Sequence, residues 1–192
     1  MQFLCKNAIE QGRPGTFVSF VENGAKLRRN FARFNWDVRS LEKKGLVSIL
    51  DLIQSPKRKG IEANFNFIMD QIELTESKGL VIDSLNAMMV SLLGNKAEAR
   101  SFAGLTKKFL ETTGCTALLI QELPWARTDF GLGFEEFLVD GVIALDTTIG
   151  STRVRRQLFI PKMRGTNHSL DLFDYNIASE GITIAQLPLS NM

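Results

Sequence analysis

The sequence has 192 residues, of which 44% are hydrophobic, and a formal net charge of +2 from 23 basic and 21 acidic side chains. This length predicts a single domain over residues 1–192, and the balanced charge excludes a protein that coats nucleic acid over a large basic face. Cys5 and Cys115 fit neither a metal-ligand spacing nor a disulfide framework, and no stretch is long enough for a membrane span, so we expect a cytoplasmic protein.

Short apolar runs alternate with helical patterns along the first two thirds of the chain. The runs typical of buried strands are 16–20, 46–53, 79–83 and 115–123. Two apolar stripes with the 3.6-residue helical period lie between them, at Ile61, Phe65, Ile68, Met69 and Ile72, and at Ala99, Phe102, Ala103, Thr106, Phe109 and Leu110. This alternation predicts an α/β fold with a mainly parallel sheet between helices, in which both stripes belong to the core.

After residue 134 the pattern changes to strands that are separated by turns. The predicted strands are 140–149, 155–163 and 182–187, with no helix of useful length between them. This pattern predicts C-terminal antiparallel strands. The longest irregular segment, "PWARTDFGLG" at 124–133, joins the two parts.

The stretch "GLVIDSLNAM" at 79–88 places a carboxylate at the end of a buried strand. Asp83 ends the apolar run, and Ser84 begins a predicted helix over 85–93. Carboxylates at this edge of a sheet are common where α/β proteins hold a magnesium nucleotide. Taken alone, the local pattern favours a simple helix cap formed by either residue. No phosphate-binding loop of the form G-x-x-x-x-G-K-[ST] occurs in the sequence.

The motifs, taken in order, resemble the KaiC-like branch of the RecA superfamily of ATPases, which includes RadA-type recombinases. The resemblance rests on residues 1–38, "GLVIDSLNAM", "GFEEFLVDGVIAL" at 133–145 and, most specifically, "RRQLFIPKMRGTNH" at 155–168. It implies a RecA-like P-loop NTPase core. In that family the phosphate loop and a central strand precede the helix that begins here at Met1, so we expect an N-terminally truncated domain with an exposed sheet edge. The alternative is a natural pseudo-ATPase that takes this strand from a partner.

The resemblance implies roles for residues near the strand ends. Asp83 would bind Mg²⁺ or orient the attacking water, with Ser84 beside the nucleotide. Glu22 would polarise that water, but Val21 stands where similar proteins carry a first glutamate. Since valine cannot act as a base, hydrolysis is expected to be slow or absent if the family places the base at that position. The alternative is that Glu22 is a solvated loop acid.

The resemblance also implies residues that contact or sense the nucleotide phosphates. Lys162 and Arg164, predicted to share one face of a strand, and His168 would reach a neighbouring subunit's nucleotide like an arginine finger. Pro161 favours an outer strand. Gln121 and Glu122 end a predicted strand where RecA-like proteins sense the γ-phosphate; simple strand termination is the alternative.

The implied function is an ATPase domain that binds ATP and Mg²⁺ at the subunit interfaces of a ring, expected to be a hexamer, with a signalling or regulatory output. Hydrolysis is not expected from these 192 residues alone. One alternative is a DNA-dependent recombination or repair ATPase that binds single strands through 124–133, although Asp129, Glu135 and Glu136 oppose a phosphate backbone. The other is a non-catalytic assembly module with protein partners.

Overall fold

The computed structural model describes residues 1–54, 57–89, 95–123, 139–149 and 153–186. Two compact units follow one another along the chain, Met1–Glu135 and Glu136–Met192. The first contains a parallel sheet with helices, and the second contains an antiparallel sheet. This arrangement confirms the predicted α/β class with C-terminal antiparallel strands. That the two units act as a single domain stays a prediction.

Four strands of the first unit form a parallel sheet, in the order β2-β1-β3-β4. They are β1 (Gly15–Ser19), β2 (Val47–Asp51), β3 (Gly79–Asp83) and β4 (Thr116–Ile120). Each coincides with an apolar run predicted as a strand, although β1 begins one residue before its run and ends one residue earlier. β1 and most of β3 are buried on both faces, which explains why their sequences are continuously apolar and do not alternate. The register places Ser19, Asp51, Asp83 and Ile120 level with one another at the carboxyl ends of the strands.

Helices connect these strands. They are α1 (Gln2–Gln11), α2 (Gly24–Ala32), α3 (Val38–Lys43), α4 (Arg58–Leu74), α5 (Leu85–Met88) and α6 (Lys96–Thr113). The two predicted stripes lie on α4 and α6. Ile61, Ile68 and Ile72 are almost fully buried, and Phe65 meets Phe102 edge to face with ring centroids 4.8 Å apart. The stripes therefore pack in the core, as predicted. None of the described helices has the length and hydropathy of a membrane span.

Helix α1 packs closely against the first residues of β1 and β3. Leu4 of this helix is fully buried and lies in a cluster with Phe17 and Val81. A Cβ atom added at Gly15 or Gly79 would lie only 2.7 or 2.9 Å from Leu4 Cδ2. The two glycines thus allow the helix to approach the sheet more closely than any residue with a side chain would.

β4 forms one edge of the parallel sheet. In the part of the chain that the structure describes, it pairs with β3 alone. Its residues alternate between exposed and half-buried, and Leu118 and Ile120 are each 39% exposed. Parallel strands are normally covered on both faces, and open edges are normally protected. Among the described residues, the second edge of β4 is therefore unpaired and is available to a further strand.

The thiol of Cys115, just before β4, provides a pH-dependent test of the packing around this strand. Burial raises the pKa of Cys115 to about 11, although Lys78 opposes the shift. At pH 8 only ~0.1% of such a thiol is thiolate, compared with about a quarter of a thiol with the reference pKa of ~8.5. We expect iodoacetamide to label Cys115 slowly at pH 8 and tenfold faster per pH unit up to about pH 11, as followed by mass spectrometry. The chain unfolded in guanidinium is the control. Rapid labelling at pH 8 in the folded chain would contradict this description of the packing.

The second unit is an antiparallel sheet with its strands in chain order. The strands are β5 (Gly141–Ile149), β6 (Val154–Met163), β7 (Phe173–Ala178) and β8 (Gly181–Gln186). β5, β6 and β8 were predicted. β7 was missed, although Phe173, Tyr175 and Ile177 alternate with other residues at the period of a strand.

The expectation that Pro161 marks an outer strand is wrong. β6 lies between β5 and β7. Proline is tolerated there because the β5–β6 register shifts between Val142 and Ala144, opposite this part of β6. The β6–β7 pairs, at Gln157 and Leu158, also lie away from it. At such an irregularity the missing N–H removes no regular ladder bond.

One face of the antiparallel sheet carries large aliphatic side chains that are 44–68% exposed, and we call it the aliphatic face. Its residues are Ile143, Leu145, Ile149, Val154, Ile177, Ile182 and Ile184. The cross-strand pairs Ile149–Val154 and Ile177–Ile182 place members of adjacent strands side by side. Exposed apolar surface on one sheet face is typical of interaction sites.

Candidate functional site

Acidic residues gather at the carboxyl edge of the parallel sheet. Asp51 ends β2, Asp83 ends β3, Glu22 follows β1 and Glu122 follows β4. The backbone N–H of Phe20 donates to the carbonyl oxygen of Asp83 at 2.8 Å, which joins the exits of β1 and β3. The predicted site residues of the first unit therefore lie at one edge, where open α/β sheets bind their ligands.

The Asp83 carboxyl group has properties suited to a cation. Burial raises the pKa of Asp83, and the nearby Glu122 and Glu22 raise it further, while the Met1 amino group opposes them. A bound cation would offset both the burial and the like charges. Among the described residues no group of three or more His, Cys, Asp or Glu could hold a metal alone. Mg²⁺ is commonly held through one or two carboxylates together with waters and substrate phosphates. A metal contact by Asp83 stays a prediction.

Ser84 caps the helix that follows β3. Its Oγ accepts a hydrogen bond from the N–H of Ala87 at 3.4 Å, and the residue is 1% exposed. The capping interpretation is therefore confirmed for Ser84 and not for Asp83. The helix predicted over 85–93 begins at Leu85 as predicted but ends at Met88, with Met89 as its C-cap, and residues 90–93 lie outside the described residues. A nucleotide contact by Ser84 stays a prediction.

The turn that carries Glu22 is fixed by a residue that the sequence reasoning missed. The Oγ atom of the buried Ser19 accepts hydrogen bonds from the N–H groups of Glu22 at 3.0 Å and Val21 at 3.4 Å. The Glu22 carboxylate forms an ion pair with Lys26, whose side chain is 54% exposed. Such an exposed pair contributes at most about 1 kcal/mol, so it would hold Glu22 only weakly against a competing contact with water or metal. Val21 is 60% exposed and presents no acid.

Asp51, also missed, connects β2 with the start of α2. Its Oδ2 atom accepts a hydrogen bond from the N–H of Gly24 at 2.8 Å. Arg28 of α2 binds Glu42 through two nitrogens, at 2.6 and 2.8 Å. A Cβ atom at Gly24 would lie 2.6 Å from Arg28 Nη1, so a larger residue there would displace the end of the Arg28 side chain. These contacts fix the helix that follows the Glu22 turn.

The end of β4 is bound to α5 by a third residue that was missed. The Asn86 side chain donates from Nδ2 to the carbonyl oxygen of Glu122 at 3.2 Å, and its Oδ1 accepts from the N–H of Glu122 at 3.1 Å. Asn86 lies within the motif "GLVIDSLNAM", but its partner is 36 residues away. Sequence spacing therefore gave no signal for this contact. Gln121, half-buried, lies between β4 and Glu122.

The predicted basic residues of the second unit lie near the start of β5. Lys162 Nζ donates to the carbonyl oxygen of Val139 at 2.9 Å, and Arg164 Nη1 lies 3.5 Å from Asp140 Oδ1. The expectation that both lie on a strand is wrong for Arg164, because β6 ends at Met163 and Arg164 begins the following turn. The structure still brings both side chains to the same segment.

His168 is half-buried in the segment between β6 and β7. Its Nε2 atom is buried and has no hydrogen-bond partner among the described residues. A contact of His168 with a nucleotide stays a prediction. The predicted nucleic-acid segment, 124–133, lies outside the described residues, as does the start of the motif at 133–145.

The chain was compared with protein families and with known proteins. The sequence profile described as "ATPase: KaiC" matches residues 1–188. A UPF0273 protein of Pyrococcus furiosus is 31% identical over 196 residues, which cover 95% of this chain and 78% of the relative. The circadian clock oscillator protein KaiC of Parathermosynechococcus lividus is 28% identical over 193 residues, which cover 97% of this chain and 36% of that protein.

A solved structure agrees with the sequence comparisons. The crystal structure of a KaiC-like protein from Pyrococcus horikoshii has a TM-score of 0.82 and 31% identity to this chain, and the match covers 95% of this chain and 80% of the other. This similarity confirms the predicted RecA-like core. The profile match and the similar relatives together show that the chain belongs to the KaiC family of ATPases.

Proposed function

We propose that this chain binds Mg²⁺–ATP at the carboxyl edge of its parallel sheet. The observation that carries the proposal is the position of Asp83, a partly buried carboxylate at the end of β3 whose pKa is raised by burial and by neighbouring acids. Mg²⁺, when bound, would neutralise phosphate charge at this edge. In this proposal Asp83 serves the metal, Ser84 lies beside the nucleotide, and Gln121 and Glu122 respond to the γ-phosphate.

Hydrolysis is a separate part of the proposal. In this proposal Glu22 would polarise the water, and the turn that carries it is held by Ser19. Val21 supplies no second acid, and no phosphate-binding loop motif occurs in the 192 residues. We therefore expect nucleotide binding by this chain with little or no turnover, and turnover only in a protein that also carries such a loop.

Self-association is the second part of the proposal. The seven large side chains of the aliphatic face are 44–68% exposed, and exposed apolar surface of this kind is commonly buried against a partner. In the proposed ring, that partner is a second copy of the chain. In a ring, expected to be a hexamer, Lys162, Arg164 and His168 would contact the nucleotide of the neighbouring copy. The output of such a ring would be a change of assembly or conformation that carries a regulatory signal.

Sedimentation of two variants tests the role of the basic residues. We expect Lys162→Ala and Arg164→Ala to abolish any ATP-dependent increase in the sedimentation coefficient, because the neighbour's phosphates lose their cations. Arg155→Ala is the control, since Arg155 is an exposed arginine of β6, the strand that carries Lys162. The Arg164–Asp140 pair is exposed, so its loss should change stability by no more than about 1 kcal/mol. ATP-dependent association that persists in both variants would refute the proposed role.

A non-catalytic assembly module remains the second candidate, favoured by the exposed Val21, which supplies no acid beside Glu22. It predicts association that does not depend on ATP. An ATPase activity that Asp83→Ala removes would exclude it, whereas association unchanged by ATP, Mg²⁺ or the two basic variants would favour it over nucleotide binding.

A further inference from the structure

We propose that Asn86 is a positioning residue that holds Gln121 and Glu122 in place relative to Asp83. The inference rests on the proposed nucleotide site. It adds that the response of Gln121 and Glu122 to the nucleotide depends on the side-chain amide of Asn86, which lies on α5. The Asn86 side chain itself need not contact the nucleotide.

The geometry of Asn86 resembles that of a paired strand residue. Its amide group donates to the carbonyl oxygen of Glu122 at 3.2 Å and accepts from the N–H of the same residue at 3.1 Å. The last β3–β4 pair is Asp83 with Ile120. Asn86 therefore extends the connection between the two strands beyond the end of the ladder, to Glu122.

Asn86 is itself firmly connected to the candidate metal ligand. It lies on α5, which Ser84 caps, and Ser84 directly follows Asp83. Ile120 is held by the ladder and Glu122 by Asn86, so Gln121 is fixed from both sides. A displacement of the β3–α5 turn would thus move the backbone at 121–122 with it. Without Asn86 the segment would lose both side-chain hydrogen bonds that join Glu122 to α5.

The effect of Asn86 can be measured by NMR on the ¹⁵N-labelled 192-residue chain, titrated with Mg²⁺ and ATP. In the unmodified chain we expect the amide signals of Asp83, Ser84, Gln121 and Glu122 to shift. In Asn86→Ala the shifts at Asp83 and Ser84 should persist, while those at Gln121 and Glu122 should fall several-fold. The amide of Glu122 should also exchange with solvent roughly tenfold faster, because it loses its acceptor.

Two further variants separate positioning from general loosening. Asn86→Gln keeps the amide but displaces it by one methylene, and it should lose the response at Gln121 and Glu122 as Asn86→Ala does. Asn64→Ala removes a side-chain hydrogen bond of similar exposure, from Asn64 Nδ2 to the Ile53 carbonyl oxygen at 3.0 Å, and should respond as the unmodified chain does.

The outcomes distinguish the two proposals. Full shifts at Gln121 and Glu122 in Asn86→Ala, or an equal loss in Asn64→Ala, would overturn the positioning role and leave nucleotide binding intact. The absence of any shift in the unmodified chain would overturn the proposed function and, with it, the role of Asn86.

Discussion

Replacing Asp83 with asparagine is expected to weaken Mg²⁺-dependent ATP binding at least tenfold and, at the same time, to stabilise the nucleotide-free chain at neutral pH. Binding weakens because the metal loses its charged oxygen ligand. Stability rises because burial and the nearby Glu122 disfavour the ionised carboxylate, which raises the pKa of Asp83. Calorimetric titration with ATP, with and without Mg²⁺, gives the first quantity, and thermal unfolding gives the second.

The pH dependence of this stabilisation has a definite sign. Because the pKa of Asp83 is raised in the folded chain above its ordinary value of 3.8, its contribution to stability is fully present below that value and is lost as pH rises through the folded pKa. The gain from Asp83→Asn should therefore be absent in acid and appear as pH rises. Asp70→Asn, on an exposed position of α4, is the control and should change neither quantity. Unchanged Mg²⁺–ATP affinity in Asp83→Asn would remove Asp83 from the site.

Replacing Leu4 with alanine is expected to lower the free energy of unfolding by about 2–5 kcal/mol. Leu4 is fully buried against Phe17, Leu27 and Val81, and the glycines at the start of β1 and β3 approach it directly, so the cavity has little freedom to close. Urea unfolding followed by circular dichroism gives the loss.

The matched control for Leu4 lies on the same helix. Ile9 is 70% exposed, and Ile9→Ala should change the unfolding free energy by no more than about 0.5 kcal/mol. If both substitutions cost the same, α1 does not pack on the sheet as described.

The strands could be predicted where burial on both faces produces a continuous apolar run in the sequence. β1 and β3 are buried on both faces, so "TFVSF" and "GLVID" read as continuous apolar runs. β7 escaped because its alternation is short and includes Asp174 and Asn176 on the other face. The exposure of the aliphatic face was not predictable, since alternation in β5 reads the same whether or not another surface covers it.

The candidate site was predictable only in part, for a similar reason. Asp83 could be found because a carboxylate that ends an apolar run is a local pattern. Ser19 was missed because a serine that ends a strand is common, and only the fold shows its hydroxyl accepting from the Glu22 N–H. Asn86 and Asp51 act on partners 36 and 27 residues away, so no spacing rule connects them. Arg164 was misplaced because the strand ends one residue before it.

The measurement that tests the central claim most directly is an NMR titration of the unmodified chain with ATP, in the presence and absence of Mg²⁺. The account predicts saturable amide shifts at the carboxyl edge of the parallel sheet, at Asp83, Ser84 and Gln121, that require Mg²⁺ and are lost in Asp83→Asn. Absence of shifts at millimolar Mg²⁺–ATP, or shifts that occur equally without Mg²⁺, would contradict it.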